Sequence, residues 1–90
     1  MNTETRIQAL AELGNYIKES PVSLLEAIHT TYLHNTWFTK TNTLKALNNI
    51  STEFLSKDNL EKWVEGYGLS YKTPKIIATV AAGNIPMVAF

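Results

Sequence analysis

By residue type and spacing, the part of this 90-residue chain best suited to chemistry is the run Gly83, Asn84, Ile85, Pro86. It follows an apolar stretch rich in β-branched residues, and open α/β sheets place ligands at glycine-bordered turns on the carboxyl ends of buried strands. At such a turn the Asn84 amide can be directed at a carbonyl oxygen that gains negative charge during attack. A structural reading stands beside it, because Asn tolerates left-handed backbone and is common in tight turns. His29 and His34 lie five apart, not the three or four that bring two ligands to one helical face, so they read as polar surface residues and no metal is expected. The chain has no cysteine, which excludes a disulfide scaffold, a thiolate metal site and a cysteine nucleophile within these residues. It also has no HExxH motif, phosphate-binding loop, dinucleotide glycine fingerprint or recognisable carboxylate pair.

Eight basic and eight acidic side chains give a net charge of +0, so no long-range field favours a polyanion, and no nucleic-acid partner is expected. Met1 to Glu12 includes Glu4, Arg6 and Glu12 without a continuous apolar core. It does not read as a signal peptide, and a cytoplasmic location is expected. All charged residues lie at or before Lys75, leaving fifteen uncharged residues from Ile76 to Phe90. A bilayer-crossing helix needs about 20 apolar residues. This run is shorter and interrupted by Gly83, Asn84 and Pro86, so it predicts a buried element of a soluble fold rather than a membrane span.

The elements that must position the turn are mainly helical. Ile7, Leu10, Ala11, Gly14 and Ile17 give one side of a helix over about Thr3 to Lys18, capped by Asn2 or Thr3 with Glu4 near its positive end. Ser20 and Pro21 break the chain. Ser23 with Glu26 then matches a capping box for a second helix carrying Leu25, Ile28 and Tyr32 inward. Trp37 and Phe38 read as a packing anchor ahead of Thr39, which caps a third helix with Leu44, Leu47, Ile50 and Phe54 on one face. Ser56 or Asp58 opens a short fourth helix facing the core with Leu60, Trp63 and Val64 and ending at Gly66 and Gly68.

Residues 69–74 form a polar connector into Ile76, Ile77, Ala78, Thr79, Val80 and Ala81, whose composition indicates a strand buried on both faces, as in a parallel sheet. Residues 1–70 are therefore a helical layer, and 71–90 the first strand and turn of an α/β domain. A lone strand leaves backbone donors and acceptors unpaired on both edges, and no second strand is evident. The chain is accordingly expected to be the amino-terminal piece of a longer protein, with self-association through the exposed strand as a further expectation.

Three patterns in order carry a resemblance. They are Asn35-Thr36-Trp37-Phe38-Thr39 followed by Leu44, Ala46 and Leu47; Asn59-Leu60-Glu61-Lys62-Trp63; and the run from Ala81 to Phe90 preceded by the strand from Lys75. Together they resemble the acyl-CoA reductases related to the fatty acid reductase component of bacterial luminescence, over most of the chain from about Ala27. The resemblance implies an aldehyde dehydrogenase-like fold and a reaction in which an acyl group passes from coenzyme A to a cysteine and is reduced with NADPH to an aldehyde. It implies that Asn84 donates to the thioester oxygen. Trp37, Phe38 and Trp63 match family positions and read as core anchors. Because no cysteine is present, the chain alone is expected to be catalytically inert. The competing expectation is a small helical interaction module that pairs its carboxyl-terminal strand with a partner's sheet edge.

Overall fold

A computed structural model describes residues 2–69, 73 and 75–81. Four α-helices follow in order, α1 (Thr3–Glu19), α2 (Val22–His34), α3 (Lys40–Asn49) and α4 (Lys57–Glu65), with one π-helical turn, Ile50–Phe54, continuing directly from α3. The mainly helical expectation holds for the described residues.

Local chemistry accounts for most of the boundaries. Asn2 caps α1, its Oδ1 accepting from the Thr5 amide at 2.8 Å. The helix ends at Ser20, which sits at φ 48° and returns its N–H to the Ile17 carbonyl, and Pro21 then prevents continuation. The capping box does not form. α2 begins two residues earlier than that box requires, with Pro21 as N-cap and no side-chain cap. Pro21 fixes the entry, its carbonyl accepting from both Leu24 and Leu25, while the Ser23 hydroxyl lies 3.2 Å from the Tyr16 hydroxyl and links α2 to α1.

Thr39 and Ser56 do cap α3 and α4, accepting from the amides of Asn42 and Asn59. Replacing Thr39 by Ala is expected to cost about 1 kcal/mol, a fall in melting temperature of roughly 4–8 °C in a domain of this size. Thermal circular dichroism checks it; an unchanged melting point would mean that α3 is held by packing alone.

The buried faces follow the helical period. Ile7, Ala11, Gly14 and Ile17 are the buried positions of α1, and Ile17, Ile28, Leu47 and Leu55 form the core, with Leu10, Leu13, Leu24, Leu44 and Ile50 packed around them. α1 lies against the π turn and α4, and α2 against α3. At the crossing of α1 and the π turn, Gly14 has a steric role. A Cβ there would stand 2.8 Å from Leu55 Cβ and 3.0 Å from the Leu55 carbonyl oxygen, neither of which can move without moving backbone. Gly14→Ala is therefore expected to destabilise the chain by about 1–3 kcal/mol through overpacking, although alanine is the better helix former by about 1 kcal/mol. Urea unfolding checks it, and a more stable variant would show that α1 can slide off the π turn.

The π turn is the departure that sequence periodicity did not foresee. The Leu55 amide reaches back five residues to the Ile50 carbonyl at 3.0 Å. Ser51 Oγ and Thr52 Oγ1 both donate to the Asn48 carbonyl, at 2.8 and 2.9 Å, so side-chain hydroxyls occupy a carbonyl as the backbone register lengthens. One extra residue in the turn rotates everything after it. Phe54, which a regular helix would align with Leu47, is 62% exposed, and Leu55 takes the inward place at 2%. Ser51 is fully buried at the same level.

Three other expected core residues also turn outward. Tyr32 is exposed. Trp37 is 90% exposed: its amide donates to Asn35 Oδ1 in a side-chain-closed turn that aims the indole at solvent and leaves Phe38 as the half-buried anchor. Trp63 is 65% exposed because α4 meets α1 and the π turn through Leu60 and Val64, one turn apart, which leaves the indole on the flank.

Candidate functional site

Gly83, Asn84, Ile85 and Pro86 lie outside the described residues. The segment that leads to them does not. Residues 75–81 have no regular secondary structure, and Ile76, Ile77 and Val80 are essentially fully exposed. The buried strand expected over 76–81 is thus not formed among the described residues. The physical reason is the one that made it questionable as a lone element: a strand is stable only when its N–H and C=O groups are paired across a neighbouring edge, and the described residues supply no such edge.

Within the helical layer the concave feature of most interest is a cleft of about 440 Å³ lined by Leu10 of α1, Glu53 and Phe54 of the π turn, and Asn59, Leu60 and Trp63 of α4. Its floor and walls are mostly apolar. The Asn59 side-chain amide donates to the Glu53 carbonyl at 2.9 Å, fastening the start of α4 to the end of the π turn. Trp63 also meets Tyr67 edge to face, with ring centroids 5.7 Å apart and planes at 71°, the geometry that aromatic quadrupoles favour. The cleft owes its existence to the π turn, since a regular helix would carry Phe54 toward the core.

A second depression of about 560 Å³ joins the amino-terminal turns of α1 and α4, lined by Thr3, Glu4, Thr5, Ile7, Gln8, Lys57 and Glu61. Lys57 and Glu61 approach to 3.9 Å, both largely solvated, a pair that contributes little. Two carboxylates in this depression oppose a phosphate, and it makes no nucleotide cradle.

His29 and His34 are both exposed, and no group of three or more potential metal ligands occurs among the described residues. No helix among them is long and apolar enough to cross a membrane. The cleft offers mainly apolar contact; Glu53 is the one titratable side chain in its lining, and no serine, lysine or other nucleophile stands beside it. Sequence reasoning placed Phe54 and Trp63 in the core and so missed the cleft; the signal that could have found it is the Ser51-Thr52 hydroxyl pair at the point where the helical register slips. No protein-family model, curated protein or solved structure matches the chain.

Proposed function

We propose that these residues form the helical amino-terminal layer and first strand of an NADPH-dependent acyl-CoA reductase that makes a fatty aldehyde through a cysteine thioester. The observation that carries the reading is the uncharged run from Ile76. Ile76, Ile77 and Val80 at its start are exposed, and in sequence it leads straight into Gly83-Asn84-Ile85-Pro86, with the two other family-like patterns upstream in the same order. Such a run is stable when a sheet covers it, and in the proposed enzyme the Ile76–Ala81 strand joins the sheet of an aldehyde dehydrogenase-like domain.

In this reading Asn84 is the catalytic residue of the segment. As a thiolate attacks the acyl-CoA carbonyl carbon, the carbonyl electrons move onto oxygen, and the Asn84 amide donates to that oxygen until coenzyme A leaves as its thiolate. The described residues do not fit NADPH: the cleft beside Phe54 and Trp63 is mostly apolar, and in the second depression Lys57 is the one cation, set against the carboxylates of Glu4 and Glu61. The thiolate and the cofactor site belong to other polypeptide. The substrate is an acyl-CoA; nucleic acid and a metal have no part.

The test is acyl-CoA-dependent oxidation of NADPH, with aldehyde trapped as product, by the complete natural product of the reading frame that encodes these residues. A product that folds, carries a cysteine and shows neither activity nor acyl transfer to that cysteine would refute the proposal. A second reading, a helical interaction module, is favoured by the exposed cleft formed by Phe54 and Trp63. It requires the chain to gain β structure only with a partner, which circular dichroism with and without that partner would detect.

A further inference from the structure

We infer that the 90-residue chain pairs with a second copy of itself through residues 75–81, as an antiparallel two-fold ribbon centred on Ala78. This goes beyond the reductase reading: it rests on the strand character of this segment and not on any activity. In a complete reductase a neighbouring strand of the same polypeptide competes for the same edge.

Three observations fix the arrangement. First, Ile76 and Val80 are fully exposed and Ile77 is 83% exposed, on a stretch with no backbone hydrogen bond among the described residues. An unpaired, β-branched stretch with no internal charge or proline is a template for another strand. Second, the charge pattern selects the direction. Lys75 is the last charged residue, so parallel in-register pairing sets Lys75 against Lys75, and like charges directly opposite are destabilising. Antiparallel pairing sets each Lys75 against the uncharged Ala81 and places the two helical bodies at opposite ends of the ribbon.

Third, the side chains select the register. With Ala78 opposite Ala78 of the second copy, Ile76 faces Val80 and Ile77 faces Thr79, twice each by symmetry, so every β-branched residue of the segment meets another. Sliding one strand by a single residue toward the carboxyl end keeps only Ile77 against Val80, and sliding it by two, to Thr79 as centre, sets Ile77 against Ala81 and Ala78 against Val80, so these unions are lost. The same surface patch serves both copies, as a closed two-fold interface requires. A two-stranded ribbon is weak in water, so dimerisation depends on concentration.

The absence of cysteine makes the test direct. Single variants Ile76→Cys, Ala78→Cys and Val80→Cys are oxidised in the 90-residue chain across a concentration series, with sedimentation of the unmodified chain alongside. Residues directly opposite bring their Cβ atoms to about 4.5–5.5 Å, close to disulfide reach. Positions 76 and 80, four residues from their own copies across the ribbon, are separated by roughly 13 Å. Ala78→Cys is therefore expected to form covalent dimer at least about tenfold faster than either other variant, and a mixture of Ile76→Cys with Val80→Cys to form heterodimer readily. Equal self-linking at all three positions, or a monomer at every concentration, would overturn the inference. Because these side chains lie outside the helical core, unchanged helical circular dichroism confirms that each variant remains folded. Pairing without acyl-CoA reduction, or reduction without pairing, separates this inference from the functional proposal.

Discussion

Leu55→Ala is expected to lower the unfolding free energy by about 2–5 kcal/mol, the largest stability effect of a single truncation among the described residues. Leu55 is 2% exposed and belongs to the central cluster with Ile17, Ile28 and Leu47. It also sits where the π turn ends and α1 crosses, so its loss opens a void against Gly14, which has no side chain to fill it. Against a total stability of roughly 5–15 kcal/mol for small domains, such a loss leaves a large unfolded fraction. Phe54→Ala, one residue earlier and 62% exposed, is expected to cost far less. Urea midpoints of the two variants measured side by side check both the depth of the core and the register of the π turn. If Phe54→Ala proved the more damaging, the helix would continue without the extra residue and the cleft would not exist.

In the proposed reductase, Asn84→Ala is expected to reduce the rate of aldehyde formation by about 100–1000-fold, the usual consequence of losing one fixed oxyanion donor. The effect should fall on kcat, and on kcat/KM by the same factor, with coenzyme A ester binding nearly unchanged, because the donor acts on charge that exists only as the carbonyl is attacked. Equal losses in binding and turnover would mean that Asn84 shapes the turn and does no more. A turn role and a donor role are compatible, and Asn84→Asp helps to part them: aspartate also tolerates left-handed backbone, but at neutral pH its carboxylate accepts hydrogen bonds and cannot donate one. It should keep the fold and lose the rate.

Much of the helical layer is legible in the amino-acid sequence. Asn2, Thr39 and Ser56 announce three of the four helix starts because a short side-chain oxygen can accept from an amide two or three residues on. Ile7, Ala11, Gly14 and Ile17 announce the inward face of α1 because the helical period brings them into one stripe. The capping box at Ser23 misleads because a motif records only that two side chains could reach two amides. Here Pro21 offers its carbonyl first, and the Ser23 hydroxyl goes to Tyr16.

The large aromatics mislead for a different reason. Size and apolarity make Trp37, Phe54 and Trp63 good core residues in general. Whether each is buried depends on what stands opposite, and that is a property of the packed layer.

The sequence alone determined where three of the four helices begin, which stripe of α1 turns inward, and the loss of all charge after Lys75, since these depend on bonds within a turn or on composition. The tertiary structure decided the rest. The register slip at Ile50–Phe54, the burial of Leu55 in place of Phe54 and the cleft between α1 and α4 follow from the contact of Gly14 with a neighbouring backbone, a contact between residues some forty positions apart. The run from Ile76 has a composition that favours a strand, yet hydrogen bonding across an edge is a relation between two segments, and no single segment can satisfy it.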